Sequence, residues 1–270
     1  MGLSLILVLF VSINSSLYSS FKVLIPEIHP YGLDYLMHEL DIILHFGYMP
    51  WEITHYLFST SSYSAFINVM YGLWFFILWV FVCSVIFLQP ELRLKLAIIS
   101  AFNISWVVNG SLFALIFSSV GPVYISNVFS EIDAYSPLFD ILNSQNEELV
   151  TSGYALGIPS LEVQNWLWDV YVKGEYARAA GISAFPSMHV SIAALFFFVL
   201  RDIDKRLGII FFVYLIFIQI GSIHLGWHYA IDGYFSIFTT GLIWILMKKI
   251  FKINYAMKVI SKTGEEKVLE

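Results

Sequence analysis

Six apolar runs are spaced along this chain, and the polar stretches between them set its organisation. The first covers residues 3–25, although Ser12, Asn14, Ser15, Ser16, Ser19 and Ser20 dilute its second half. Runs at 65–88 (closed by Gln89-Pro90), 94–117, 190–200, 207–220 and 229–251 follow. A bilayer core about 30 Å thick needs about 20 apolar residues in helical form, so the pattern predicts six spanning helices. A signal peptide is the rival reading of 3–25, but that stretch lacks a basic start and an obvious small-residue cleavage site. Residues 27–62 differ. There His29, Asp34, His38, Glu39, Asp41, His45, Glu52 and His55 interleave with Leu36, Leu40, Ile43 and Leu44. That amphipathic spacing predicts helices lying on the membrane surface or capping the bundle. After Gly121-Pro122 a polar stretch continues to about Gly181, read as a long functional loop with interfacial Trp166 and Trp168.

Composition agrees with the pattern. Apolar residues make up 59 %, aromatics 18 % and charged residues only 13 %, well below the quarter typical of soluble domains. A formal charge of −6 is no nucleic-acid signature. The lone Cys83 lies in an apolar run, so there is no disulfide framework. The expected fold is an all-α integral membrane bundle of about six transmembrane helices. Residues 1–62 form its first helix and an amphipathic extracytoplasmic segment, and 63–270 form a membrane-embedded catalytic-type domain.

Charge placement orients the bundle. Arg93 and Lys95, Arg201, Lys205 and Arg206, and the lysines from Lys248 onward all fall on one side of a six-span alternation. They include all of the 14 basic residues except Lys22, Lys173 and Arg178. The positive-inside rule places that side, with both termini, in the cytoplasm. All 7 histidines then map to the extracytoplasmic half.

Runs 190–200 and 207–220 are joined by a charged hexapeptide and must run antiparallel. This brings Pro186-Ser187-Met188-His189 beside His224-Leu225-Gly226-Trp227-His228-Tyr229-Ala230-Ile231-Asp232. Pro186 suits the first turn of a helix, whose free N–H groups and partial positive charge favour an anion such as phosphate. Ser187 adds a hydroxyl donor. His189, near the start of a short apolar run, is costly without a partner or a task. His228 and Asp232 are spaced i, i+4, as on one helix face, so the carboxylate can fix the imidazole tautomer and leave the other nitrogen free to attack or move a proton. His224 extends that face, and His224, His228 and Asp232 also admit a metal-ligand or a purely structural reading.

The two motifs together resemble the type-2 phosphatidic acid phosphatase superfamily. These are six-helix membrane enzymes that act on lipid phosphate or phosphodiester groups and share their core with vanadium haloperoxidases. The resemblance implies that His228 is a nucleophile forming a phosphohistidine, that Asp232 orients it, that His189 is the general acid and that Ser187 binds phosphate. It implies no metal and no other cofactor. The expected partners are the membrane and a lipid phosphate or phospholipid substrate, in a bacterial inner membrane. Two features depart from the family pattern. No Lys-x6-Arg-Pro occurs upstream, and Gly221 stands seven residues before His228 where the family has arginine. Arg178, then Lys173, with His224 when protonated, are the expected replacements for that charge; Lys22 is expected to lie too far away. The missing arginine, with Gly121-Pro122 and Tyr124, resembles the branch containing the inositol phosphorylceramide synthases, which suggests transfer to an alcohol as well as to water. The competing class is a non-enzymatic membrane transporter or binding protein with intramembrane histidines as a proton relay.

Overall fold

The computed structural model describes residues 2–129, 131, 133–174 and 181–253, and no strand occurs among them. Helix α1 (Gly2–Ile28) carries a narrow inward stripe: Leu7, Val11 and Ile25 are buried, while Leu5, Ile6, Leu9, Phe10, Ile13 and Leu17 face outward. Helices α2 (Asp34–Leu44) and α3 (Pro50–Leu57) follow. Helices α4 (Ser61–Leu88) and α5 (Leu92–Ile116) come next, with α4 interrupted at Leu73. Then come α6 (Ser136–Thr151) and α7 (Pro159–Val172), followed by α8 (Met188–Ile203), α9 (Lys205–His224) and α10 (Ala230–Ile250).

Five of these, α1, α4, α5, α9 and α10, are long and apolar enough to cross a membrane. Helix α8 is shorter, with 16 residues, or about 24 Å at ~1.5 Å per residue. Its centre is buried throughout, including Val190, Ile192, Leu195 and Phe196. A tight turn returns the chain into α9, capped by Asp204, whose Oδ1 accepts from the N–H of Arg206 (2.7 Å) and Leu207 (3.1 Å). The antiparallel hairpin expected from the sequence is present. Arg93, Lys95, Arg201, Lys205, Lys248 and Lys249 sit at the end opposite the two motifs.

The polar groups of the third run face protein, as expected. A π-helical turn, Val108–Phe113, swings Asn109 into the core. There Asn109 Nδ2 donates to Ser191 Oγ (2.9 Å) and Thr240 Oγ1 (3.2 Å), tying α5 to α8 and α10.

One expectation changes. The stretch after Gly121-Pro122 is largely helical: α6 and α7 pack onto the bundle rather than forming a long loop. Side chains hold them there, with Ser64 donating to Gln145 Oε1 (2.6 Å) and Ile158 N–H donating to Asn146 Oδ1 (2.7 Å). Their dilute apolar content hid a helical period among Asn, Ser and Glu. Of the two readings of residues 27–62, α2 follows the second and caps the bundle, with Asp34 and Asp41 buried and Leu36, Ile43 and Leu44 exposed.

Candidate active site

His228 and Asp232 meet, but not as two residues of one helix. His228 sits in the loop before α10, and Asp232 lies in that helix's first turn. Gly226, with φ +73°, reverses the chain after α9, and His228 N–H donates to Ser222 O (3.0 Å). The result places His228 Nδ1 at 3.1 Å from Asp232 Oδ2, with the carboxylate fully buried and the imidazole 12 % exposed. With Asp232 ionised, Nδ1–H donates and Nε2 keeps its lone pair. Asp232 Oδ1 has no hydrogen-bond partner among the described residues. A buried carboxylate with a single ring partner is costly as structure alone; an imidazolium that forms during reaction would repay part of that cost.

Helix α2 fixes this loop. Asp41 accepts from the N–H of Ala230 (2.7 Å) and Ile231 (2.9 Å), capping α10 from a distant helix. Asp34 accepts from the N–H of Val120 (3.0 Å) and Gly121 (2.9 Å) and from the Tyr229 hydroxyl (3.0 Å). Burial pushes the Asp34 carboxyl up, and those N–H and O–H donors oppose it. Gly121, at φ +85°, lies between the two motifs: a Cβ there would come within 2.7 Å of Ala184 Cβ and 3.2 Å of Trp227 O. Its neighbour Ser119 accepts from Ala184 N–H (2.9 Å) through its carbonyl and from Phe185 N–H (3.2 Å) through Oγ. Asp34, Asp41 and the 118–122 turn therefore set the distance between the motifs.

The other motif starts its helix two residues later than expected, at Met188 rather than Pro186. Ser187, not Pro186, is the boundary: it is the N-cap of α8 and its Oγ accepts from Val190 N–H (3.4 Å). Its own N–H donates to the Asp232 carbonyl (3.4 Å), joining the two motifs through the backbone. The hydroxyl proton of Ser187 remains free to donate. The His189 ring sits in an aromatic box, stacked on Tyr71 (4.6 Å), tilted on Trp74 (4.2 Å) and edge-on to Phe75 (5.5 Å). Trp74 Nε1 donates to the His189 carbonyl (2.9 Å). His189 makes no side-chain hydrogen bond to a described residue, yet it is close enough to His228 for charge on one ring to be felt at the other.

The expected cations separate. Arg178 lies outside the described residues. Lys173 is exposed at the C-terminal end of α7. His224 is fully buried and committed elsewhere: Nε2 meets Ser64 Oγ (2.8 Å), Nδ1 meets Thr54 Oγ1 (3.3 Å), and the ring stacks on His55 at 3.7 Å. Lys22, expected to be remote, is near. Its backbone and stem press on Gly181, where a Cβ would fall 2.6 Å from Lys22 Cγ, and its charge reaches both His228 and His189. Burial, then the Lys22 charge, pushes the His228 imidazole down to about 3, with the Ala184 backbone acting the other way. His228 is thus neutral in the resting protein. A small cavity opens beside it, lined by Asp41, Trp51, Pro122, Tyr135, Ile223 and Tyr229. Among the described residues, no group of three or more His, Cys, Asp or Glu side chains stands in a metal-binding arrangement.

Sequence reasoning missed Asp34, Asp41, Gly121 and Lys22 as parts of this site. Only the first two left a signal. Both carboxylates fall on the face opposite Leu36 and Ile43, which reads as the wet side of an amphipathic helix until partners bury it. A family model described as PAP2 superfamily matches residues 36–246, well over half of the chain. No curated protein and no solved structure gives a significant match.

Proposed function

We propose, from the premise that this chain belongs to the PAP2 superfamily of phosphatases and phosphotransferases, that it moves a lipid's phosphoryl or head-group phosphate through a phosphohistidine at His228. The observation that carries this reading is the partly exposed imidazole of His228 held at 3.1 Å by a carboxylate with no other side-chain partner.

In the first step the lone pair of His228 Nε2 attacks phosphorus. An N–P bond forms, the P–O bond to the leaving group breaks, and a proton from protonated His189 neutralises the departing alkoxide. In the second step the oxygen of water or of an alcohol attacks phosphorus while His189 takes its proton. The new P–O bond forms and the N–P electron pair returns to Nε2. Asp232 holds the Nδ1–H tautomer and balances the positive charge on the ring as Nε2 bonds. The Ser187 hydroxyl donates to a phosphate oxygen; Lys173, exposed at the end of α7, is left out, and Arg178, outside the described residues, stays the expected supplier of positive charge from the segment leading to the motif. His224 is left out of the chemistry because both its nitrogens are engaged.

We favour the transferase-like branch that resembles inositol phosphorylceramide synthases, since no arginine precedes His228 in the family position. The deciding experiment incubates purified protein, with chelator present, with a panel of lipid phosphates and phospholipids, with and without alcohol acceptors, followed by lipid mass spectrometry. The expected result is a phosphate-bearing product whose yield rises with one acceptor class. No phosphate chemistry on any lipid, with flux of a solute dependent on His228, would replace this reading with the transporter. The site is proposed to face away from the cytoplasm, with both termini inside. A cysteine in place of Ser152, exposed between α6 and α7, should then react with a membrane-impermeant thiol reagent applied outside, and one in place of Lys205 should not; the reverse pattern would invert the orientation.

A further inference from the structure

We infer that the Lys22 ammonium, carried by α1, binds the phosphate oxygens opposite His228 and replaces the arginine absent before that residue. The inference rests on the phosphotransfer reading and goes beyond it, because Lys22 precedes the segment that matches the family.

The position of Lys22 on its helix comes first. Leu7, Val11 and Ile25 are the buried residues of α1, and Asn14, Tyr18 and Lys22 complete the same stripe at steps of three and four. The stripe faces protein at the levels of Asn14 and Tyr18. Asn14 Nδ2 donates to Asn103 O (3.5 Å). The Tyr18 ring lies edge-on to Trp106 at 4.5 Å, and it also covers Gly110, where a Cβ would meet Tyr18 at 2.6 Å and Met188 Sδ at 3.2 Å. Met188 is flanked by Ser187 and His189. One turn after Tyr18, Lys22 therefore points at the start of α8 rather than at lipid.

Among the described residues its surroundings supply no counter-charge. Lys22 is half-buried and makes no hydrogen bond or ion pair with a described residue. A lysine whose task was to reach the interface would sit on the lipid side and extend toward the helix end. This one sits on the packed side, about 9 Å (six residues at ~1.5 Å each) short of the end of α1. A cation there is costly unless an anion shares the space.

The approach is also built for closeness. Gly181 leaves no room for a side chain against Lys22: a Cβ would stand 2.6 Å from its Cγ and 2.8 Å from its carbonyl carbon. From Gly181 the chain runs three residues to Ala184, which lies against the 118–122 turn and the His228 ring. Lys22, Ser187 and His228 thus border one space, with an ammonium, a hydroxyl and a neutral imidazole on its sides. That set suits a tetrahedral phosphate gaining charge on its equatorial oxygens.

The test uses orthovanadate, a tetrahedral phosphate analogue that becomes trigonal-bipyramidal when a nucleophile binds it, titrated calorimetrically into the detergent-solubilised full chain. Wild type should bind it, Lys22→Met should bind about tenfold or more weakly, and Lys22→Arg should stay within about threefold of wild type. Lys22→Gln serves in place of Lys22→Met should the latter fail to fold. Lys22→Met binding vanadate like wild type, while His228→Ala loses it, overturns the inference and leaves the phosphohistidine reading standing. Vanadate binding that persists in both variants, or turnover of a lipid phosphate by wild type without vanadate binding, also overturns it. No vanadate binding together with no turnover across the lipid panel overturns the functional reading and this inference with it.

Discussion

A His228→Ala protein is expected to lose phosphate turnover by about 10⁴-fold or more, since removing a nucleophile leaves only binding and electrostatics. The fold should be kept with a moderate loss of stability, because the buried Asp232 loses its one side-chain partner. The imidazole is partly exposed, its one side-chain partner is Asp232, and the backbone bond from its N–H to Ser222 does not need the ring. Thermal unfolding within a few degrees of wild type would separate loss of chemistry from loss of structure. The wild-type pH profile provides a second check. Burial and Lys22 hold His228 far below its ordinary 6.5, near 3, so the neutral form persists in acid. Loss of the nucleophile by protonation should come well below pH 5, where an ordinary histidine would already be about 97 % charged. A nucleophile limb centred near 6.5, assigned by its absence in a His228 variant, would contradict the environment described here.

Asp41→Ala is expected to have the largest effect on stability, a loss of about 2–5 kcal/mol measured by denaturation in detergent. The carboxylate is buried and accepts from Ala230 and Ile231, so alanine leaves two N–H groups at the start of α10 without acceptors. Turnover should fall too, because the same helix start positions Asp232 against His228. Asp41→Asn keeps one acceptor oxygen and should recover most of the stability. The sign of the pH dependence follows from the direction of the shift. Burial raises the Asp41 carboxyl from 3.8 to about 7, against the N–H donors of Ala230 and Ile231. A group whose folded value is raised contributes stability that is complete below its unfolded value and is lost as pH rises through about 7. Asp41→Asn should therefore flatten the decline of stability between pH 4 and 7. An Asp41→Asn protein that keeps the wild-type slope would assign that slope to another group.

How much of this was legible in the sequence depends on the distance over which each feature is specified. The hairpin of α8 and α9 was legible because apolar runs and a charged hexapeptide are local signals. The His228–Asp232 pair was legible for the same reason, although by a different route: a loop and a helix start reproduce the reach of an i, i+4 pair. The helices α6 and α7 were not. Their stability comes from Gln145, Asn146 and Asn68 reaching other elements, and polar residues that pack against protein look like loop in a one-dimensional pattern. Asp34, Asp41 and Lys22 were hidden for a related reason. Their partners lie scores of residues away in the chain, and nothing local tells a buried charge from a solvated one. Gly121 looked like an ordinary turn glycine, while its second constraint, the contact with both Ala184 and Trp227, exists only in three dimensions.

The central claim is a covalent phosphate on one imidazole, and trapping tests it most directly. The protein would be mixed with a phosphate-labelled lipid substrate found in the panel, quenched within milliseconds in alkali, and digested for mass spectrometry. The account predicts an acid-labile, alkali-stable phosphoryl group on the peptide containing His228, absent from His228→Ala. Label that persists on the His228→Ala protein, or label on another residue of the wild type, would contradict it.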